Sequence, residues 1–121
     1  MAIRKSGEDY LETILMLKEK NGSVHSVDVA AELDFSKASV SVAMKKLRQS
    51  GYITMEPHGE LILTESGLAV AQRIYERHRI LTDFFIRLGV SPDIAAEDAC
   101  KVEHDLSEET FQRLLEHAQQ Q

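Results

Sequence analysis

The chain has a single cysteine among 121 residues, which excludes an intrachain disulfide. It has no run of about 18 apolar residues, so no membrane-spanning helix is expected, and no apolar segment with signal-peptide flanks. No internal repeat, linker or low-complexity stretch is found beyond the glutamines of residues 119–121. These absences together predict a cytoplasmic protein in a reducing setting, with no membrane partner. What is present is a 43% hydrophobic composition, enough to bury one core, so a single domain or two small modules sharing a core is expected rather than disorder.

The net charge of −6 argues, taken whole, against a nucleic-acid partner. Its distribution argues otherwise. Residues 1–64 hold 8 basic and 9 acidic side chains, residues 65–121 hold 6 and 11, so a nearly neutral half precedes an acidic one. Within the first half, residues 36–50 hold four basic side chains and no acid.

Hydrophobic spacing predicts the elements. Ser6 to Asp9 resembles a capping box, and Tyr10, Leu11, Ile14, Leu15 and Leu17 follow at helical spacing until Asn21-Gly22. Ser26 is expected to cap a short second helix with Val27, Ala30, Ala31 and Leu33 as its apolar stripe, and Asp34-Phe35-Ser36 reads as a turn. A third helix from about Lys37 carries Val40, Met44 and Leu47 on one face and ends at Gly51. Residues 52–55 and 61–64 flank a Pro57/Gly59 turn and predict a β-hairpin. Thr64 is expected to cap a long helix through Leu88, with Val70, Ile74, Leu81, Phe84 and Leu88 on one side. Ser91-Pro92 starts the next helix, with Ala95, Ala99, Val102 and Leu106 on its apolar face, and Ser107-Glu108-Glu109 start the last, bearing Phe111, Leu114 and Leu115.

The fold class is therefore mainly α: an N-terminal winged helix-turn-helix over residues 1–64, then an α-helical domain over 65–121. A short helix, a tight turn, a basic helix and a hairpin are the parts of a module whose second helix enters the DNA major groove. Ser36, Lys37, Ser39 and Ser41 are expected near the groove, with Lys45 and Arg48 nearer the phosphates. The bland alternative for the basic residues is a solvated helix face.

Cys100, Glu103 and His104 stand at i, i+3 and i+4, which places them on one face if that segment is helical. Asp9 and Glu12 share a face of the first helix, and His78 lies in the middle of the long one, between Arg77 and Arg79. Taken singly, Cys100 reads as a small hydrophobe, Asp9 as part of a helix cap and His78 as a polar surface residue. Taken together, the six side chains offer enough donors for one or two transition-metal ions.

Residues 8–12 (EDYLE), the helix-turn-helix with its wing, residues 77–81 (RHRIL) and the AC-x-x-EH run of residues 99–104 resemble, in collinear order, the diphtheria-toxin-repressor and manganese-transport-repressor family of metal-dependent transcription factors. That resemblance implies an α-helical metal-binding and dimerisation domain in the second half. It implies Asp9, Glu12, His78, Cys100, Glu103 and His104 as ligands of an activating divalent metal, Mn²⁺ or Fe²⁺, for which Co²⁺ or Zn²⁺ can substitute. It implies a homodimer that binds an inverted-repeat operator in double-stranded DNA. Asp9 and Glu12 are similar to the manganese-type branch and Cys100 to the iron-type branch. Thr82 and Ala96 occupy positions of a second iron-type site, which is not expected here, and no SH3-like C-terminal domain is expected.

The expected function is a metal-dependent transcriptional regulator, a repressor of metal-homeostasis genes. The alternative within the same class is a metal-independent winged-helix regulator answering another ligand. An enzyme using Cys100 with His104 is disfavoured by the lack of a second cysteine or a glycine-rich oxyanion loop.

Overall fold

The computed structural model describes residues 5–119. The elements are α1 Lys5–Asn21, α2 Ser26–Leu33, α3 Lys37–Gln49, β1 Ile53–Met55, β2 Leu61–Leu63, α4 Glu65–Arg87, α5 Pro92–Val102 and α6 Glu108–Gln119. The chain divides into two compact units between Gln72 and Arg73, inside α4.

In the N-terminal unit, α1 buries Leu11, Ile14, Leu15 and Leu17, the face its helical spacing predicted. The helix is already under way at Lys5, so Ser6 lies within it rather than at its cap. It ends where Gly22 takes φ +85°, a left-handed conformation glycine adopts without Cβ strain.

The cap of α2 is His25, one residue before the expected Ser26. Its backbone amide donates to the Asp28 carboxylate at 2.8 Å, so the acid at the third helical position closes the turn from the backbone side. The buried residues of α2 are Val29 and Ala30, whereas Val27 is 53% exposed and Ala31 is also exposed. The stripe is thus rotated from the one read in the sequence. A left-handed Asp34 (φ 57°) then ends the helix, a conformation a short polar residue tolerates.

Ser36 caps α3, its Oγ accepting from the Ser39 amide at 3.1 Å, a contact worth about 1 kcal/mol. Val40, Met44 and Leu47 are buried on the inner face, as their i, i+4, i+7 spacing requires. The hairpin pairs Ile53 with Leu63, Thr54 with Ile62 and Met55 with Leu61 in antiparallel register. The Leu61 amide also donates to the Val24 carbonyl at 2.8 Å, tying the wing to the segment before α2.

Thr64 Oγ1 accepts from the Gly67 amide at 3.2 Å and donates to the Gly51 carbonyl, so one side chain starts α4 and pins the end of α3. Gly67 is required because a Cβ there would run into the Tyr52 carbonyl.

In the C-terminal unit, Ile74, Arg77, Leu81, Ala95, Ala99, Glu103 and Phe111 are buried. Leu88, expected on the apolar face of α4, is 66% exposed, because the helix ends at Arg87 and the chain turns at Gly89. Helix α5 starts after Ser91 with Pro92 in its first turn. It stops at Val102, short of the Leu106 expected on its face, and residues 103–106 form a bent turn. Ser107 Oγ accepts from the Thr110 amide at 3.1 Å and starts α6.

Candidate nucleic-acid interface and metal centre

The two candidate sites lie on different parts of the sequence. The first is the outer face of α3. Ser36, Lys37, Ser39, Ser41, Lys45 and Arg48 are all exposed, so every side chain expected to meet DNA is on the surface. Ser36 and Ser39 are also engaged with each other, the Ser36 hydroxyl donating to Ser39 Oγ at 2.8 Å. Ser41, Lys45 and Arg48 line a shallow concavity of about 290 Å³ together with Val42 and Met55. Val42 is 56% exposed and was not singled out in the sequence; an apolar residue standing off the buried face of a basic helix was the available signal. A solvent-facing basic row, free of acid, with the wing alongside, is the arrangement a recognition helix requires.

The second site begins with two pieces. On α1, Asp9 and Glu12 stand one turn apart with carboxylate oxygens within 4.8 Å of one another, and Glu12 is buried. In the C-terminal unit, Glu103 is the centre of a cluster. Its Oε2 lies 3.0 Å from His78 Nδ1, and its Oε1 lies 3.3 Å from His104 Nε2. That second contact is misaligned for a hydrogen bond, and Glu103 Oε1 makes none among the described residues. The Glu103 side chain has no solvent exposure.

A fully buried carboxylate is costly unless positive charge or hydrogen bonds compensate it. Here one oxygen is hydrogen-bonded and the other is not, with two imidazoles converging on them. That donor set, nitrogen from His78 and His104 and oxygen from Glu103, fits a divalent transition ion. Cys100 lies in the last full turn of α5 and is exposed, whereas Glu103 is buried beyond the helix end. The backbone stays helical through Glu103, whose amide donates to the Ala99 carbonyl at 2.9 Å, yet the i, i+3 spacing leaves Cys100 exposed and Glu103 buried.

In the sequence Arg77 stands out only as a neighbour of His78 and as the first residue of the RHRIL run. Its guanidinium donates to the carbonyls of Glu103 at 3.0 Å and Leu106 at 3.1 Å. It also pairs with Glu108 Oε2 at 2.6 Å and lies over the Phe111 ring, 4.8 Å from its centroid. No helix among the described residues is long and apolar enough to cross a membrane.

A winged helix-turn-helix with an exposed basic helix, in one chain with a helical unit in which two histidines flank a buried glutamate, defines a metal-dependent transcriptional regulator. The chain belongs to the iron-dependent repressor family, which includes the diphtheria-toxin and manganese-transport repressors. Residues 3–61 match the family's N-terminal DNA binding domain, and residues 64–120 match its metal binding and dimerisation domain. An uncharacterised HTH-type transcriptional regulator of Methanocaldococcus jannaschii is 38% identical over 112 residues, 91% of this chain and 90% of that one. The transcriptional regulator MntR of Salmonella typhimurium is 41% identical over 113 residues, 93% of this chain and 72% of that one. A solved manganese-dependent transcriptional repressor in complex with manganese superposes with a TM-score of 0.84 at 28% identity. The match covers 93% of this chain but only 52% of that one, so the chain spans about half the length of that solved repressor. The expected winged-helix and helical-domain architecture is borne out, and the protein is a regulator and not an enzyme.

Proposed function

We propose that this chain is a repressor that binds an inverted-repeat operator as a homodimer when a divalent metal, Mn²⁺ or Fe²⁺, is bound. The observation that carries the reading is the buried Glu103 carboxylate, flanked by His78 and His104, with one oxygen that makes no hydrogen bond among the described residues. The donors assigned are Asp9 and Glu12 from α1, with His78, Cys100, Glu103 and His104 from the second half.

A divalent cation supplies the positive charge that several carboxylates lack. Without it, Asp9, Glu12 and Glu103 carry like charge and disfavour any arrangement that brings them together. With that repulsion removed, the carboxylates of α1 can share one charge with Glu103 and His104, and conformers competent for DNA gain population. A coupling of about 1–3 kcal/mol, or roughly 5–150-fold in DNA affinity, is enough for a genetic switch. Lys45 and Arg48 then contact phosphates, while Ser36, Lys37, Ser39 and Ser41 at the start of α3 face the groove.

The metal preference follows from mixed donors. Carboxylates suit Mn²⁺, imidazoles suit Fe²⁺, Co²⁺ and Zn²⁺, and a Cys100 thiolate would favour the softer ions further. Calorimetric titration of the metal-free protein with these four ions tests the reading. One or two ions per chain, with binding abolished in Glu103→Ala and His104→Ala, are expected; no saturable binding of any of the four would overturn it.

A further inference from the structure

We infer that Arg77 is the positioning residue of the metal-binding turn: it holds residues 103–106 in the shape that presents Glu103 and His104 as ligands. The inference rests on the metal reading above and deepens it.

The turn after α5 is closed locally at one carbonyl, that of Val102, which accepts from the amides of Asp105 at 3.0 Å and Leu106 at 3.2 Å. Its C-cap, Glu103, has right-handed φ −58° and ψ −32°, no glycine follows to form a left-handed cap, and the carbonyls of Glu103 and Leu106 are bonded from another helix. Arg77 is the donor, reaching from α4 to the carbonyls of Glu103 and Leu106 at the two ends of the turn. A planar guanidinium with several donors in fixed directions sets the spacing of those two acceptors in a way that a lysine ammonium cannot.

The charge is also placed to spare the ligand. Arg77 is only 4% exposed, and its cation is answered by Glu108 Oε2 at 2.6 Å and by the face of Phe111. It touches the Glu103 main chain and not its carboxylate, so both carboxylate oxygens remain directed to His78 and His104. Because His78 is the next residue on α4, one helix carries a donor and the strut that aims two others. Glu108, in the first turn of α6, extends the same network to the start of the last helix.

The test uses the full chain with Arg77→Lys, Arg77→Met and Glu108→Gln. Thermal unfolding first establishes which variants fold. Mn²⁺ affinity, the absorption spectrum of the Co²⁺ form and amide exchange of residues 103–106 in the metal-free protein are then measured. Folded Arg77 variants should bind Mn²⁺ roughly 10–100-fold more weakly, the range seen when the support behind a ligand is removed. They should also show an altered Co²⁺ spectrum and faster exchange in the turn. Glu108 is largely exposed and its amide replacement still offers Arg77 an acceptor, so Glu108→Gln is expected to fold and to weaken Mn²⁺ binding by about 3-fold, a smaller share of the same support. If either arginine variant fails to fold, Glu108→Gln and the remaining variant decide. Wild-type Mn²⁺ affinity in folded Arg77→Lys and in Glu108→Gln, even with lowered melting temperatures, would reduce Arg77 to a packing role. Failure of the wild-type chain to bind Mn²⁺ would instead overturn the metal reading itself.

Discussion

His78 Nδ1 and Glu103 Oε2 meet at 3.0 Å although 25 residues separate them in sequence. The contact orients an imidazole by a carboxylate that is itself wholly buried. Burial of a charged group is a stability cost accepted where function needs it. Glu103→Gln keeps the volume and a hydrogen-bond acceptor but removes the charge. Melted in excess chelator, this variant should equal or exceed the wild type in stability, by up to about 3 kcal/mol. In Mn²⁺ the order should reverse, because only the wild type gains from metal binding. A variant less stable than wild type in chelator would show that the carboxylate is a structural element without the metal.

Lys45 lies on the exposed row of α3, in the same concavity as Arg48 and Met55. Lys45→Glu should leave the melting temperature unchanged while weakening DNA binding. It should also reduce the steepness of the logarithmic dependence of affinity on salt by about 0.9 for each phosphate no longer neutralised. Fluorescence anisotropy with a duplex selected from a randomised library, at several salt concentrations, measures both. An unchanged slope and affinity would remove this face of α3 from the interface.

Gly67 abuts the Tyr52 carbonyl so closely that no Cβ can be placed. Gly67→Ala should therefore destabilise the protein by about 1–3 kcal/mol or more, since backbone and not a flexible side chain must move. Thermal circular dichroism reads this directly, and a melting temperature equal to wild type would contradict the packing of α4 against the β1 approach.

Two surface carboxylates predict the acid limb of stability. Hydrogen bonding to Lys18, and then to His58, holds Glu60 below the usual glutamate range. Hydrogen bonding to Gln112, and then to Arg77, does the same for Glu108. A group whose acidity is strengthened by folding stabilises the native state above its unfolded value, about 4.3. That contribution disappears as pH falls through the lower folded value. Glu60→Gln with Glu108→Gln should therefore flatten the decline in melting temperature below about pH 4.3 while leaving its onset from other groups intact. An acid limb as steep as wild type would contradict the pairing.

Much of this fold was legible because local rules agreed. Ser36, the apolar triplet of α3 and Gly51 all set one helix with one inner face, and Pro57 and Gly59 sit in the observed hairpin turn. The misreadings came where such rules competed or ran out. In α2, two turns of helix give too little periodicity to fix rotation, and the acid Asp28 made His25 the cap in place of Ser26. At Leu88 the helical pattern continued past the point where the chain bends. Asp9, Glu12, His78, Glu103 and His104 stood out as candidate donors from their chemistry and order. Their surroundings did not, because the carbonyl of Glu103 is bonded by Arg77, a donor 26 residues away in sequence. Cys100 shared the same helical spacing as its neighbours but lies on the exposed side of the helix end.

Cys100 can be examined by colour. Thiolate ligation of Co²⁺ gives an intense sulfur-to-metal charge-transfer band in the near ultraviolet, and its presence would make the thiol a ligand. Cys100→Glu should then shift preference toward Mn²⁺ while the protein stays folded. Absence of the band, with metal affinities unchanged in Cys100→Ala, would leave a five-donor set without sulfur.

The central claim is that metal occupancy sets DNA affinity. Its most direct measurement is the affinity of the wild-type chain and of Glu103→Gln for one selected duplex, each in chelator and in saturating Mn²⁺, at constant ionic strength. The wild type should tighten by roughly 5–150-fold on metal addition, and Glu103→Gln should show the chelator value in both conditions. Equal wild-type affinity with and without Mn²⁺ would contradict the account, whatever the protein's affinity for the metal alone.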